Sequence, residues 1–208
     1  MAKLLNGILG KAHNKVGNVI ASSWKGINYV REYVIPKNPD TVAQQLQRGY
    51  VREQGHVAAS MTSTVCQKFW DPIARNMSGF NLMMQGGLIA AKAGKELKET
   101  VRSIGRNEPT TVLSATYSDS TGDMTPTWDA VCMSNGLSTD KALIICYDRK
   151  NRISFVSDGA ATRVSGTLAV AIGADRDADD LVCWVSFYRG TKKPYMISNT
   201  KGCDVMAV

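Results

Sequence analysis

The chain has 208 residues, 44% of them apolar and 21% charged, and a formal net charge of +7. That is enough for one ordinary domain plus a substantial extra segment, or for two small domains, and it excludes wholesale disorder. No run approaches the roughly 18 consecutive apolar residues of a membrane-spanning helix, so no membrane partner is expected.

The charge is unevenly spread. Residues 1–108 hold 15 Lys+Arg and 7 Asp+Glu, a net of +8, whereas residues 109–208 hold 10 and 11, a net of −1. A basic half joined to a near-neutral half predicts units with different partners. Gly105-Arg106-Asn107-Glu108-Pro109 combines a helix-stopping glycine with a proline that cannot continue a helix, and it marks the border. The expected organisation is an N-terminal arm over 1–38, a helical segment over 39–108 and a β-sandwich domain over 109–208.

The opening Met1–Gly7 is too short and too interrupted for a signal peptide. Residues 1–38 show no helical period; glycines punctuate them, and Lys3, Lys11, Lys15, Lys25, Arg31 and Lys37 recur among apolar residues. Val16–Arg31 is β-rich and predicts a hairpin that turns near Trp24-Lys25-Gly26. Such a segment has too few apolar side chains on one face to build its own core. Trp24, Ile27, Tyr29 and Tyr33 are costly to leave in water, so the arm is expected to be ordered by packing on protein.

Helix signals begin at Asn38-Pro39-Asp40-Thr41, with Asn38 or Asp40 as cap. Val42, Leu46 and Tyr50, then Val57, Met61, Val65 and Phe69, recur at helical spacing up to Asp71-Pro72. An irregular stretch follows, from Ile73 to Gly86-Gly87. A second helix is expected over Leu88–Ile104, with Lys92, Lys95, Lys98, Arg102 and Arg106 on a solvated face.

After Thr110 the period becomes two. Strands are predicted at Thr111–Tyr117, Met124–Ala130, Lys141–Tyr147, Arg152–Val156, Thr167–Ile172, Leu181–Tyr188 and Tyr195–Ser198, separated by Asp-, Asn- and Gly-rich turns. Seven short strands in about 100 residues is the pattern of an immunoglobulin- or fibronectin-like sandwich. Trp128 and Trp184 are its expected core aromatics. Cys146 and Cys183, on the third and sixth strands, allow an inter-sheet disulfide, but reduced thiols made in a cytosol are preferred.

Chemistry-bearing patterns are weak. Cys66, Cys132, Cys146, Cys183 and Cys203 form no CxxC pair and, with two histidines, make a poor zinc set. Asp175–Asp180 resembles a calcium loop but lacks its glycine and distal glutamate, so a solvated turn is expected. Gly7–Lys11 lacks the spacing of a phosphate loop. His13 and His56 stand apart from any nucleophile. No catalytic residue, cofactor or metal ligand is expected, and no enzymatic activity. The interleaved aromatics and cations of the arm fit protein anchoring best; the second reading is a nucleic-acid contact through Lys3, Lys11, Lys15 and Lys25.

Gly17-Asn18-Val19-Ile20, Trp24-Lys25-Gly26-Ile27 and Arg31, then Asn38-Pro39 with Thr41, Gln44, Gln45, Gln47 and Arg48, resemble the opening of an uncharacterised family of Bacteroidetes-type bacteria, their phages and prophages. That opening reads GKVGNVV, WKG and NPxTxxQxxQR. Trp128, the strand around Leu143–Tyr147, Ala161 with Arg163, and Ser198 are also similar to the family. The chain departs from it at His13-Asn14, where the family has a more glycine-rich run. The resemblance implies no catalytic residues and, by its occurrence beside phage genes, a virion or assembly role.

The expected fold is α+β: a basic arm or hairpin and a helical segment, followed by an immunoglobulin- or fibronectin-like sandwich. The expected function is that of a bacteriophage virion structural protein, capsid- or tail-associated, made in the host cytoplasm. Homo-oligomers and other virion proteins are its expected partners, with Trp24, Lys25, Tyr29, Arg31, Tyr33 and Arg48 at the interface. The alternative is a nucleic-acid-binding or packaging accessory protein.

Overall fold

The computed structural model describes residues 2–3, 14–35, 37–110, 113–190 and 195–208. The fold is mixed α+β, built in three blocks. The first is a small antiparallel sheet of β1 (Ala2–Lys3), β2 (Asn14–Val16), β3 (Val19–Trp24) and β4 (Ile27–Glu32), in the order β1-β4-β3-β2. The hairpin predicted at Trp24-Lys25-Gly26 forms. Lys25 and Gly26 are its central pair, at φ 44° and 82°, the doubly left-handed turn that matches strand twist. Asn14 also takes a left-handed φ of 77°, a conformation that glycine adopts freely and asparagine tolerates. Its position is where the family resemblance calls for glycine.

The second block is helical: α1 (Val42–Ser60), a π-helical stretch over Thr62–Trp70, α2 (Gly79–Lys92) and a short turn over Leu97–Glu99. Three expectations change here. The cap of α1 is Thr41, which accepts from the Gln44 amide at 3.4 Å; Asn38 and Asp40 hold Arg48 instead. The single helix expected up to Asp71 switches register after Met61. There the Ser60 and Thr62 hydroxyls donate to the carbonyls of Val57, Ala58 and Ala59, competing with the i→i−4 ladder. The second helix starts at its Ser78 cap, well before Leu88, and runs through Gly86-Gly87. Gly87 is required where α1 crosses, since a Cβ would lie 2.3 Å from the Gln54 Oε1. Gly94, at φ 73°, ends the regular structure, so Lys95 to Arg106 lie beyond that helix.

The third block is β5 (Leu113–Ser118), β6 (Asp123–Trp128), β7 (Lys141–Asp148), β8 (Ile153–Thr162), β9 (Val170–Ala171), β10 (Leu181–Arg189), β11 (Met196–Ile197) and β12 (Lys201–Ala207). They form one eight-stranded, nearly closed sheet, ordered β8-β7-β10-β12-β5-β6-β9 with β11 beside β10. The seven predicted strands are all represented, with shifted ends. β12 was not foreseen. It runs antiparallel to β10 and parallel to β5, and so joins the β7/β8/β10 half to the β5/β6/β9 half.

Strands β7 and β10 are buried on both faces. Leu143, Ile145, Tyr147, Val182, Trp184 and Tyr188 point toward the helical block, where Val57, Met61, Val65, Phe69, Trp70 and Met83 cover them. The alternate residues, Ile144, Cys146, Cys183, Val185 and Phe187, pack with Tyr117, Met124, Trp128 and Val205. The helical block and the strands therefore share a core, contrary to the expectation that the strands own a separate one. Cys146 and Cys183 are register partners in one sheet, not opposed across two, and they are free thiols.

β12 can reach its slot because position 202 is glycine. A Cβ there would lie 2.1 Å from the Lys98 carbonyl oxygen and 2.6 Å from the Trp184 ring. Gly202→Ala is expected to lower unfolding free energy by about 1–3 kcal/mol, measured by urea denaturation. Gly86, helical with nothing near its missing Cβ, should give the opposite sign. Gly86→Ala is expected to stabilise by about 0.5–1 kcal/mol.

Candidate assembly surface

The register of the small sheet sorts its side chains onto two faces. Trp24 opposes Ile27, Ser22 opposes Tyr29, and Ile20 stands between Lys15 and Arg31. These residues share one face, rich in aromatic and cationic groups. Tyr33 extends it, with the Lys15 Nζ 3.7 Å from its ring centroid. Of the residues predicted at an interface, Trp24, Tyr29, Arg31 and Tyr33 thus come together. Lys25 sits in the turn, and its Nζ donates to the Met77 carbonyl at 2.8 Å, tying the arm to the body. Arg48 is on α1 and pairs with Asp40 at 2.9 Å. That pair and the Thr41 cap explain the NPxTxxQxxQR pattern as a lock on a helix start. Lys11 and His13 lie outside the described residues, as does the side chain of Lys3.

The arm leaves apolar surface in water. Trp24 is 51% exposed and Ile35 75%, with Val16, Tyr33 and Val34 also exposed. Neither core cluster includes an arm residue among those described. The exposed surface continues onto the first half of α1, where Val42 is 82% exposed and Leu46 is also open. Of the residues that recur at helical spacing there, Val42 and Leu46 stay exposed and Tyr50 is half-buried, because the fully buried residues of α1 begin at Gln54. Helical spacing alone could not show that the first half of the helix overshoots the sheet.

The body carries a surface of the opposite sign. A cleft of about 840 Å³ is lined by Tyr117, Asp119, Asp175, Asp177, Asp179 and Met206, together with the cations Lys150 and Arg176. The Asp119 carboxylate accepts from the Tyr117 hydroxyl at 3.0 Å and the Asp175 amide at 2.7 Å; Asp177 caps the Asp179 amide at 3.1 Å. Asp175–Asp180 is thus a structured, exposed turn. No group of three or more His, Cys, Asp or Glu side chains able to hold a metal occurs among the described residues.

The remaining polar cluster is internal. Asn107, Glu108, Asp140, Arg163 and Ser198 are all buried. Asn107 donates to Asp140 at 3.0 Å, Arg163 lies 3.9 Å from the centroid of the Phe187 ring, and the Trp128 indole donates to the Arg163 carbonyl at 2.8 Å. Ser198 accepts from the Phe187 amide at 2.9 Å. Trp128, Arg163 and Ser198, which carry the C-terminal part of the family resemblance, are therefore packing and bonding residues of the body.

The sequence profile of the family of unknown function DUF6266 matches residues 10–194. The chain belongs to that family. No curated protein and no solved structure matches it. The DUF6266 match takes in β2 to β4 of the arm, the helical block and the strands through β10, so the exposed hairpin is part of the family's unit.

The Glu108 carboxylate offers a pH test of the internal cluster. Backbone amides of Ser134 and Met133, and that of Gly136, donate to it at 2.8–3.0 Å and hold its pKa below the usual carboxylate value. A depressed folded-state pKa contributes stability above the unfolded value of about 4.3 that is lost as pH falls through the folded value. Thermal melts from neutral pH to about pH 3 are expected to show Glu108→Gln well below wild type at neutral pH, with the gap closing in acid.

Proposed function

We propose that this DUF6266 protein is a non-enzymatic assembly protein, a capsid- or tail-associated component of a bacteriophage virion, that acts through contacts between copies of itself. The observation that carries this reading is the aromatic and cationic face of the arm, exposed at Trp24 and Tyr33 and outside both core clusters among the described residues. The occupant we propose for that face is the acidic cleft of a second copy. Lys15 and Arg31 complement Asp119, Asp175 and Asp179, and Trp24 and Tyr33 supply the large anchors typical of interface hot spots. Arm-to-cleft contact is heterologous, so it would propagate into rings or filaments, as a particle requires. We read the body as an immunoglobulin- or fibronectin-like display module, a reading supported by its short, mostly antiparallel strands and by the edge-to-face pair of Trp128 and Phe187 in their core.

Sedimentation of the full chain over a concentration series tests this. Wild type is expected to self-associate, and Trp24→Asp to weaken association by at least about thirtyfold, the effect of losing a hot spot, with an unchanged melting temperature. Asp175→Lys should weaken it from the cleft side. A wild type that stays monomeric at all concentrations, or a Trp24→Asp chain that associates equally well, would overturn the proposal.

A further inference from the structure

A second charged feature lies on the body, away from the arm. Between α1 and the β7–β8 turn is a cleft of about 330 Å³ lined by Arg52, Glu53, His56, Tyr147, Arg149 and Arg152, with Gly49 and Leu97. Three guanidinium groups face one carboxylate. Among the described residues, none of the three has an ion-pair partner. Lys98, next in sequence to Leu97 of the cleft wall, differs: it is paired with Glu96 and Asp204.

The turn that presents Arg149 and Arg152 is pinned. Asp148 accepts from the amide and the side chain of Asn151, both at 2.8 Å, and is itself bonded to Arg176. Arg152 is held at φ 59°, the left-handed conformation that closes the β7–β8 turn.

Beneath the cleft lies a further cation, with no carboxylate in direct ion-pair contact among the described residues. Arg102 is 1% exposed. Its two terminal nitrogens both donate to Gln54 Oε1 at 3.2 Å, its Nε has no partner, and the Trp184 ring lies 5.0 Å away. Burial lowers its pKa to about 10, so it stays charged at neutral pH. Its field reaches Glu53 and Tyr147, both in the cleft wall. A buried, poorly screened positive charge under three unpaired arginines makes the cleft a focused positive region.

We infer that this cleft binds a phosphate-type oxyanion, with the forks of Arg52, Arg149 and Arg152 as direct contacts and Arg102 as a fixed charge behind them. The anion could be free or part of a nucleic-acid backbone, and the two sources are separable by experiment. The full-length protein is titrated with sodium pyrophosphate by calorimetry and with a short labelled DNA duplex by fluorescence anisotropy.

Three phosphate contacts predict that duplex binding weakens about 40-fold between about 50 and 200 mM salt. Arg52→Gln/Arg152→Gln is expected to reduce affinity for whichever anion binds by about tenfold or more at low salt, and Arg149→Gln to act in the same direction. A charge-matched control, Arg75→Gln/Lys201→Gln, also at exposed positions, should change it less than about twofold. Pyrophosphate binding without duplex binding supports a small-anion site; duplex binding lost in the cleft variants supports a nucleic-acid contact. Failure of both probes to bind wild type at low salt, or equal losses in cleft and control variants, would overturn the inference.

Discussion

Strands β7 and β10 present apolar side chains on both faces, and each face must be covered. Of the 17 residues in these two strands, 15 are buried by the burial pattern along them. One face takes the helical block, and the other takes β5, β6 and β9. At roughly 25 cal/mol per Å² of apolar surface, a two-faced strand pair left half-covered would forfeit most of what holds a domain of this size together. The helices are therefore one wall of the core and not a separate appendage. β12 completes the arrangement by pairing with β10 on one side and β5 on the other, so the sheet turns over the second core without leaving an edge there.

Covering that pair also decides which charges are buried. Arg163 enters with company: Asp140, the Glu108 carbonyl and the Phe187 ring. Arg102 enters with a neutral amide and an indole in contact, and Glu53 acts on it from the cleft wall. A paired buried charge locks geometry, whereas an unpaired one projects its field outward. The two arginines accordingly fit different roles: Arg163 fixes the loop around Glu108, and Arg102 stands behind the proposed anion cleft. The arm belongs to neither core cluster among the described residues. Its sheet is stabilised by its own turns and a tie to Met77, and Trp24 and Tyr33 stay exposed on the face proposed to meet a second copy.

Much of this was legible in the sequence where local pattern and tertiary environment agree. Lys25-Gly26 between β-rich runs is a hairpin signal, and the runs Leu143–Tyr147 and Leu181–Tyr188 are apolar enough to be central strands. β12 was not legible, because Lys201-Gly202-Cys203-Asp204 carries glycine and charge where a strand signal needs alternation. Its identity comes from the two strands that flank it. Gly86-Gly87 looked like a break, but the close crossing of Gln54 makes glycine necessary inside α2. Arg102 looked like one of a solvated row. It is buried because the chain leaves the helix at Gly94 and passes between α1 and Trp184, a path no periodicity encodes. At the assembly surface, Trp24, Tyr29, Arg31 and Tyr33 share a face by strand alternation alone, whereas the exposure of Val42 and Leu46 depends on how far α1 overshoots the sheet.

The central claim is that the body is complete in itself while the arm gains its partner only between copies. Hydrogen exchange followed by mass spectrometry, at protein concentrations below and above self-association, measures this directly. The expected result is slow exchange in β7 and β10 at both concentrations, with β3 and β4 exchanging fast when dilute and becoming protected when associated. Arm amides as protected as β10 in the dilute protein, or arm exchange that does not change with concentration, would contradict it.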